Sequence, residues 1–273
     1  MAGIALEDGF EDVVGKAMRG MGMEAGTLSF LTGVGEDEIE KLLDGELDES
    51  ALRKVAPILG LDGETLVERG RGKWCPAEVE MDGLRQFVTP HEDYAVNSYM
   101  IWDPYTMEAA MFDTGTNADE AYALIEALGV KVKTLFLTHT HVDHVKAIEQ
   151  VRSWGEVVVR IGEREPIGGA LKFAIGDEFS VGSLKVETRL TWGHSPGGTT
   201  FVVEGLKRPV AIVGDALFAQ SMGGGVVSYQ DALETNRKEI FSLVDETIIC
   251  PGHGPMTSVG EEKLHNPFFP EFK

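Results

Sequence analysis

The sequence predicts an α/β domain preceded by a small all-α domain. Three observations carry that expectation. Before residue 70 the apolar residues recur at three- and four-residue spacing. After residue 80 short β-rich runs alternate with helical ones. The change falls at Gly70-Arg71-Gly72-Lys73-Trp74-Cys75-Pro76, a stretch rich in chain breakers. The expected division is residues 1–72 and residues 73–273, which suits a chain of 273 residues.

In the first part, Val13, Val14, Ala17 and Met18 fall at helical spacing. Leu28, Leu31, Ile39, Leu42, Leu43, Leu52, Val55, Leu59 and Leu61 continue the habit. Glycines at 33, 35, 45, 60 and 63 divide residues 8–69 into four or five short helices. In the second part, strands are expected at 84–88, 95–101, 109–112, 134–137, 156–161, 185–190, 199–203, 210–213 and 247–249. Helices are expected at 118–127, 145–154 and 230–243, the first of them behind Asn117 as N-cap. Strand–helix alternation of this kind specifies an α/β domain.

Composition narrows the function classes. A 43% hydrophobic and 25% charged chain matches an ordinary globular protein. The formal net charge of −21 repels phosphate backbones and anionic membranes, so no nucleic-acid partner is expected. The first residues, MAGIALEDGFEDVV, lack a basic region followed by an apolar run, and no apolar stretch reaches the ~18 residues of a membrane span. Two cysteines, Cys75 and Cys250, make no disulfide framework. A cytoplasmic protein with reduced thiols and no membrane partner is the expectation.

The seven histidines are not scattered. His139, His141 and His144 fall within six residues, directly after the apolar run Leu135-Phe136-Leu137, with Asp143 among them. Three imidazoles and a carboxylate at the end of a buried strand are what a metal site requires. His194 and His253 lie in Gly193-His194-Ser195-Pro196-Gly197 and Pro251-Gly252-His253-Gly254-Pro255, and Asp215 follows Gly214 at the end of another apolar run. Strand ends are where α/β folds place ligand sites. His91 and His265 stand alone and receive no role. Cys250, at the end of a strand, reads as a core thiol.

This ordered set, together with Asp113-Thr114-Gly115, resembles the metallo-β-lactamase superfamily, and within it the glyoxalase II-like hydrolases, over roughly residues 82–273. The resemblance implies an αββα sandwich with metals at one edge of its two sheets. It implies one divalent ion on His139, His141 and His194, and a second on Asp143, His144 and His253. Asp215 and a water or hydroxide would bridge the two. Zinc is the implied metal, with iron and manganese compatible. The implied reaction is hydrolysis of a thioester or related ester on a small molecule, with Asp143 also orienting the nucleophile or taking its proton. Trp192 stands where many relatives carry proline, which predicts a bulkier pocket edge. The chain runs about 20 residues past His253, so a compact form without a glutathione-gripping C-terminal domain is expected. Ser221-Met222-Gly223-Gly224-Gly225 is expected to form a flexible loop beside the metals. An iron-dependent persulfide dioxygenase and a lactonase are alternatives within the same family.

Residues 27–61 also resemble a repressor-type helix-turn-helix. Glu36, Asp37, Glu38 and Glu40 would stand on the recognition helix against Lys41 alone. DNA readers carry arginine and lysine there. A regulator with a vestigial enzyme domain is therefore the non-enzyme alternative, while packing, a lid, or homo-oligomer formation is the expected use of this part.

Overall fold

The computed structural model describes residues 4–273. The first part forms five short helices, α1 (Phe10–Met21), α2 (Ala25–Thr32), α3 (Glu36–Leu43), α4 (Glu49–Val55) and α5 (Gly63–Gly70). Asp48 and Asp62 start α4 and α5 by accepting from backbone N–H groups of the first turn, at 2.8–3.0 Å.

Two six-stranded sheets follow. The first contains β1 (Leu84–His91), β2 (Tyr94–Trp102), β3 (Glu108–Phe112), β4 (Lys131–Leu137), β5 (Val158–Gly162) and β6 (Leu171–Phe173), in that spatial order. It is antiparallel from β1 to β3 and parallel from β3 to β6. The second contains β7 (Glu178–Val181), β8 (Leu184–Leu190), β9 (Thr199–Glu204), β10 (Val210–Gly214), β11 (Ile248–Pro251) and β12 (Thr257–Ser258), also in spatial sequence. Only β10 and β11 pair in parallel within it.

Side-chain alternation explains why the inner strands β3, β9, β10 and β11 are buried nearly throughout. Tyr99, Ile101, Phe112, Phe136, Phe201, Ile212 and Cys250 meet between the sheets. Phe136 is its aromatic centre, with ring centroids of Phe112 and Phe201 at 5.2 and 5.1 Å. The alternate residues Met100, Met111, Leu135 and Leu137 face outward, onto α6 (Asp119–Leu128) and α8 (Ile148–Arg152). On the second sheet, Ala211, Val213 and Ile249 face a third cluster. That cluster contains Val13, Leu28, Leu52 and Leu66 of the N-terminal helices, Tyr229 of α9 (Tyr229–Thr235), and Phe268 and Phe269. Strands covered on both faces lose the polar half of the alternation. The order of layers is helix, sheet, sheet, helix, and the N-terminal helices lie in the last layer.

The structure departs from expectation locally. The helix expected at 145–154 divides into α7 (Val142–Val145) and α8. The one expected at 230–243 is α9 followed by a π turn, Asn236–Ile240, where Asn236 turns its amide to Ala216 O at 2.7 Å. The N-cap of α6 is Ala118, one residue later than expected; Asn117 accepts from Asp119 N instead, at 2.7 Å. The short strands β6, β7 and β12 and helix α10 (Val259–His265) were not predicted. Among the described residues no helix is long and apolar enough to cross a membrane.

Candidate metal centre

Five strands end at one edge of the sandwich, and each delivers a loop to the same point. β3 leads into Asp113, β4 into Thr138–His144, β8 into the turn holding His194, β10 into Asp215 and β11 into His253. Buried Glu165 ties two of these loops together, accepting from Thr140 Oγ1 at 2.6 Å and from Gly197 N at 2.7 Å. On β2, Asn97 and Tyr99 hold the third, donating to Pro251 O at 2.9 and 2.7 Å.

All seven residues singled out in the sequence converge here. Donor atoms of His139, His141, His194 and Asp215 lie within 4.8 Å of one another, as do those of Asp143, His144 and His253. His141 Nδ1 is 3.1 Å from His139 Nε2 and 2.9 Å from His194 Nε2. Asp143 Oδ2 is 3.7 Å from His144 Nε2 and 3.5 Å from His253 Nε2. Asp215 joins the two groups: Oδ2 lies 3.3 Å from His194 and 3.4 Å from His253, while Oδ1 lies 3.3 Å from His144.

The outer nitrogens of four imidazoles are committed elsewhere, which turns the inner ones toward the cluster. His144 Nδ1 meets Asp113 Oδ2 at 2.8 Å, and His253 Nδ1 meets Ala95 O at 2.7 Å. His194 Nδ1 meets Gly224 O at 2.9 Å, and His139 Nδ1 meets Thr138 Oγ1 at 3.0 Å. Thr138 Oγ1 itself donates to Asp113 Oδ2 at 2.8 Å, so Asp113 backs two histidines at once. That commitment makes Asp113 a support for the cluster rather than a member. The motif Asp113-Thr114-Gly115 was visible in the sequence, but its role was not. The carbonyls of Ala95 and Gly224 leave no sequence signal at all.

Electrostatics set the same requirement. Burial pushes Asp215 up, yet the facing His144 and His253 hold it well below the usual carboxylate range. Burial lowers His144 and His253, and Asp215 overrides it, raising both; Asp113 adds to this at His144. Burial keeps His139 and His194 below their ordinary value. His144 Nε2 and Asp215 Oδ1 are buried without a hydrogen-bond partner. A buried carboxylate ringed by imidazoles, with unpartnered buried polar atoms at its centre, fits divalent cations.

The cluster floors an open cavity of about 420 Å³, lined also by Glu7, Lys16, His91, Tyr94, Val142 and Phe218. Trp192 does not line it, so the bulk expected at that edge is absent; its carbonyl instead accepts from Thr235 Oγ1 at 3.1 Å. Gly223 and Gly224 border the cavity beside the cluster, as expected, while Ser221 and Met222 are buried and hydrogen-bonded rather than part of a flexible loop. His265 pairs with Glu68 at 2.7 Å and stacks on Trp74, away from the cavity. Cys250 is buried in the core, as expected, and its thiol is pushed up by burial.

The comparisons agree with this geometry. The family model of the metallo-beta-lactamase superfamily matches residues 91–253. Hydroxyacylglutathione hydrolase GloC of Haemophilus influenzae is 28% identical, over 66% of this chain and 96% of that protein. The mitochondrial persulfide dioxygenase of mouse, ETHE1, is 29% identical, over 67% and 74%. The crystal structure of ETHE1 from Myxococcus xanthus superposes with a TM-score of 0.58 at 26% identity, covering 67% of this chain and 83% of that one. With the αββα layers and the His/Asp cluster at the sheet edge, these matches show that the chain belongs to the metallo-β-lactamase superfamily.

Proposed function

We propose that this chain is a dinuclear metal-dependent hydrolase of a small thioester or related ester. The observation that carries this reading is Asp215, whose carboxylate stands between the two groups of donors, within 3.4 Å of His194 in one and of His144 and His253 in the other. His139, His141 and His194 would hold one cation, Asp143, His144 and His253 the other, and Asp215 both. Zinc suits this imidazole-rich set. Divalent cations held there supply Lewis acidity and an acidified water at neutral pH. Asp143 borders the cavity, where its carboxylate would orient a water or accept its proton. Asp113 and the carbonyls of Ala95 and Gly224 fix the imidazoles so that little reorganisation accompanies reaction. The cavity has the size of a small-molecule site. The charge of −21 and the acidic first turn of α3 speak against a nucleic-acid partner and against the regulator reading.

The test is a panel of acyl thioesters, esters and lactones on protein whose metal content is measured. Two metals per chain with thioester turnover support the reading; one metal per chain after zinc reconstitution, or no hydrolysis at all, overturns it. The similarity to persulfide dioxygenases favours a second reading, with iron on the His139, His141 and His194 group and Asp215. Oxygen uptake with glutathione persulfide on iron-loaded protein would select it.

A further inference from the structure

The N-terminal segment meets the loop that backs His194. Lys16, on α1, donates to Met222 O at 2.9 Å and pairs with Asp8. Asp8 accepts from Ser221 Oγ at 2.5 Å. Two residues beyond Met222, Gly224 O meets His194 Nδ1 at 2.9 Å. The intervening glycines give this stretch no stiffness of its own, and Val226 just beyond it is 79% exposed. Its carbonyl can hold a histidine only if the loop is fixed at both ends. One end is tied to the His194 turn, where Val227 and Ser228 donate to Gly193 O at 2.9 and 3.0 Å. At the other end Ser221 pairs with the Phe218 backbone and accepts from Asn266 Nδ2 at 2.8 Å, and the Asp8–Lys16 pair adds the tie that reaches Met222, nearest the glycines. The Lys16 ammonium has a carboxylate, a carbonyl and, 5.1 Å away, the Phe218 ring centroid as its partners. Its contacts are those of a strut rather than of a hook for substrate.

We propose that Asp8 and Lys16 are positioning residues for His194: the N-terminal helical segment clamps the loop whose Gly224 carbonyl orients that imidazole. The proposal rests on the reading of His194 as a metal ligand. It makes the helical segment part of the metal site, not an appended module.

The test uses the full chain stripped of metal and titrated with cobalt(II), whose visible absorption reports ligand geometry. Affinity is read by chelator competition and folding by thermal melting. Lys16→Met is expected to weaken cobalt binding about tenfold, at the lower end of the effect of outer-shell changes, and to alter the absorption bands. Lys16→Arg is expected to recover most of both. Leu28→Ala, buried in the same helical cluster but distant in sequence from the loop, is expected to lower the melting temperature without changing the cobalt spectrum. If Lys16→Met does not fold, Asp8→Asn decides, since it removes the charge and keeps an acceptor for Ser221. Parent affinity and spectrum in Lys16→Met and Asp8→Asn overturn the proposal, as does the same spectral change in Leu28→Ala. Neither readout uses thioester turnover, so an error in the substrate would leave the cobalt result standing. Failure of the parent protein to bind cobalt would instead sink the metal reading itself.

Discussion

Gly252→Ala is a one-methyl test of the reacting centre. A Cβ at this position would stand 2.0 Å from Asp215 Oδ1 and 2.7 Å from His144 Cε1, where ordinary contact begins at 3.4 Å. The backbone cannot retreat easily. Gly252 N donates to Gly214 O at 2.8 Å, and Gly252 O accepts from Asn97 N at 2.7 Å. Nor is φ the obstacle, because Gly252 is not among the positive-φ glycines. The carboxylate of Asp215 therefore gives way, by about 1.4 Å if contact is to become ordinary. Misplacement of about 1 Å at a reacting centre costs on the order of 10²-fold in rate, or roughly 2.7 kcal/mol of transition-state stabilisation. Overpacking removes about 1–3 kcal/mol of stability. The expected result is a folded protein with kcat/KM for a thioester lowered about a hundredfold. Steady-state kinetics, metal content and a thermal melt measure it. A variant within threefold of the parent, with full metal content, would refute the reasoning, because the Asp215 carboxylate would then be free to move or irrelevant to turnover.

Two further outcomes are expected. Asp113→Asn removes the charge behind His144 and Thr138 while keeping the shape, so metal affinity by chelator competition should fall roughly 10–100-fold with little change in circular dichroism; unchanged affinity would reduce Asp113 to a structural role. Glu262 is fully buried, and burial pushes its carboxyl up to about 7 despite accepting from Asn266, Thr257 and Gln220. A carboxyl raised in the folded state contributes stability below its ordinary value of about 4.5, and that contribution is lost as pH rises through about 7. Glu262→Gln should therefore stabilise the protein at pH 8, by on the order of 1–3 kcal/mol, and make little difference at pH 5; equal melting shifts at both pH values would contradict this.

The metal cluster was legible because its chemistry is concentrated in side chains at strand ends. His139, His141, Asp143 and His144 announce themselves by proximity, and His194, Asp215 and His253 by the glycine turns around them. Strands β3, β9 and β10 were legible because burial on both faces makes them nearly continuous apolar runs, and β8 because its buried and exposed residues alternate. β6, β7 and β12 were not, since two to four residues at a sheet edge carry too little pattern. The π turn at Asn236 depends on a carbonyl 20 residues away, which no local period records. The supports were least legible of all. Ala95 and Gly224 act through backbone carbonyls, and Glu7, Asp8 and Lys16 reach the site only because the N-terminal helices share a core with Val213 and Ile249.

Four of the converging donors hang from the first sheet and three from the second. Cations on them would act as a rivet through the seam of the sandwich, closing long chain loops that otherwise part on unfolding. The barrier to separating the sheets, and so resistance to proteolysis and to slow thermal inactivation, would then depend on how fast the ions leave. In a cell short of metal, the same chain would become short-lived as well as inactive.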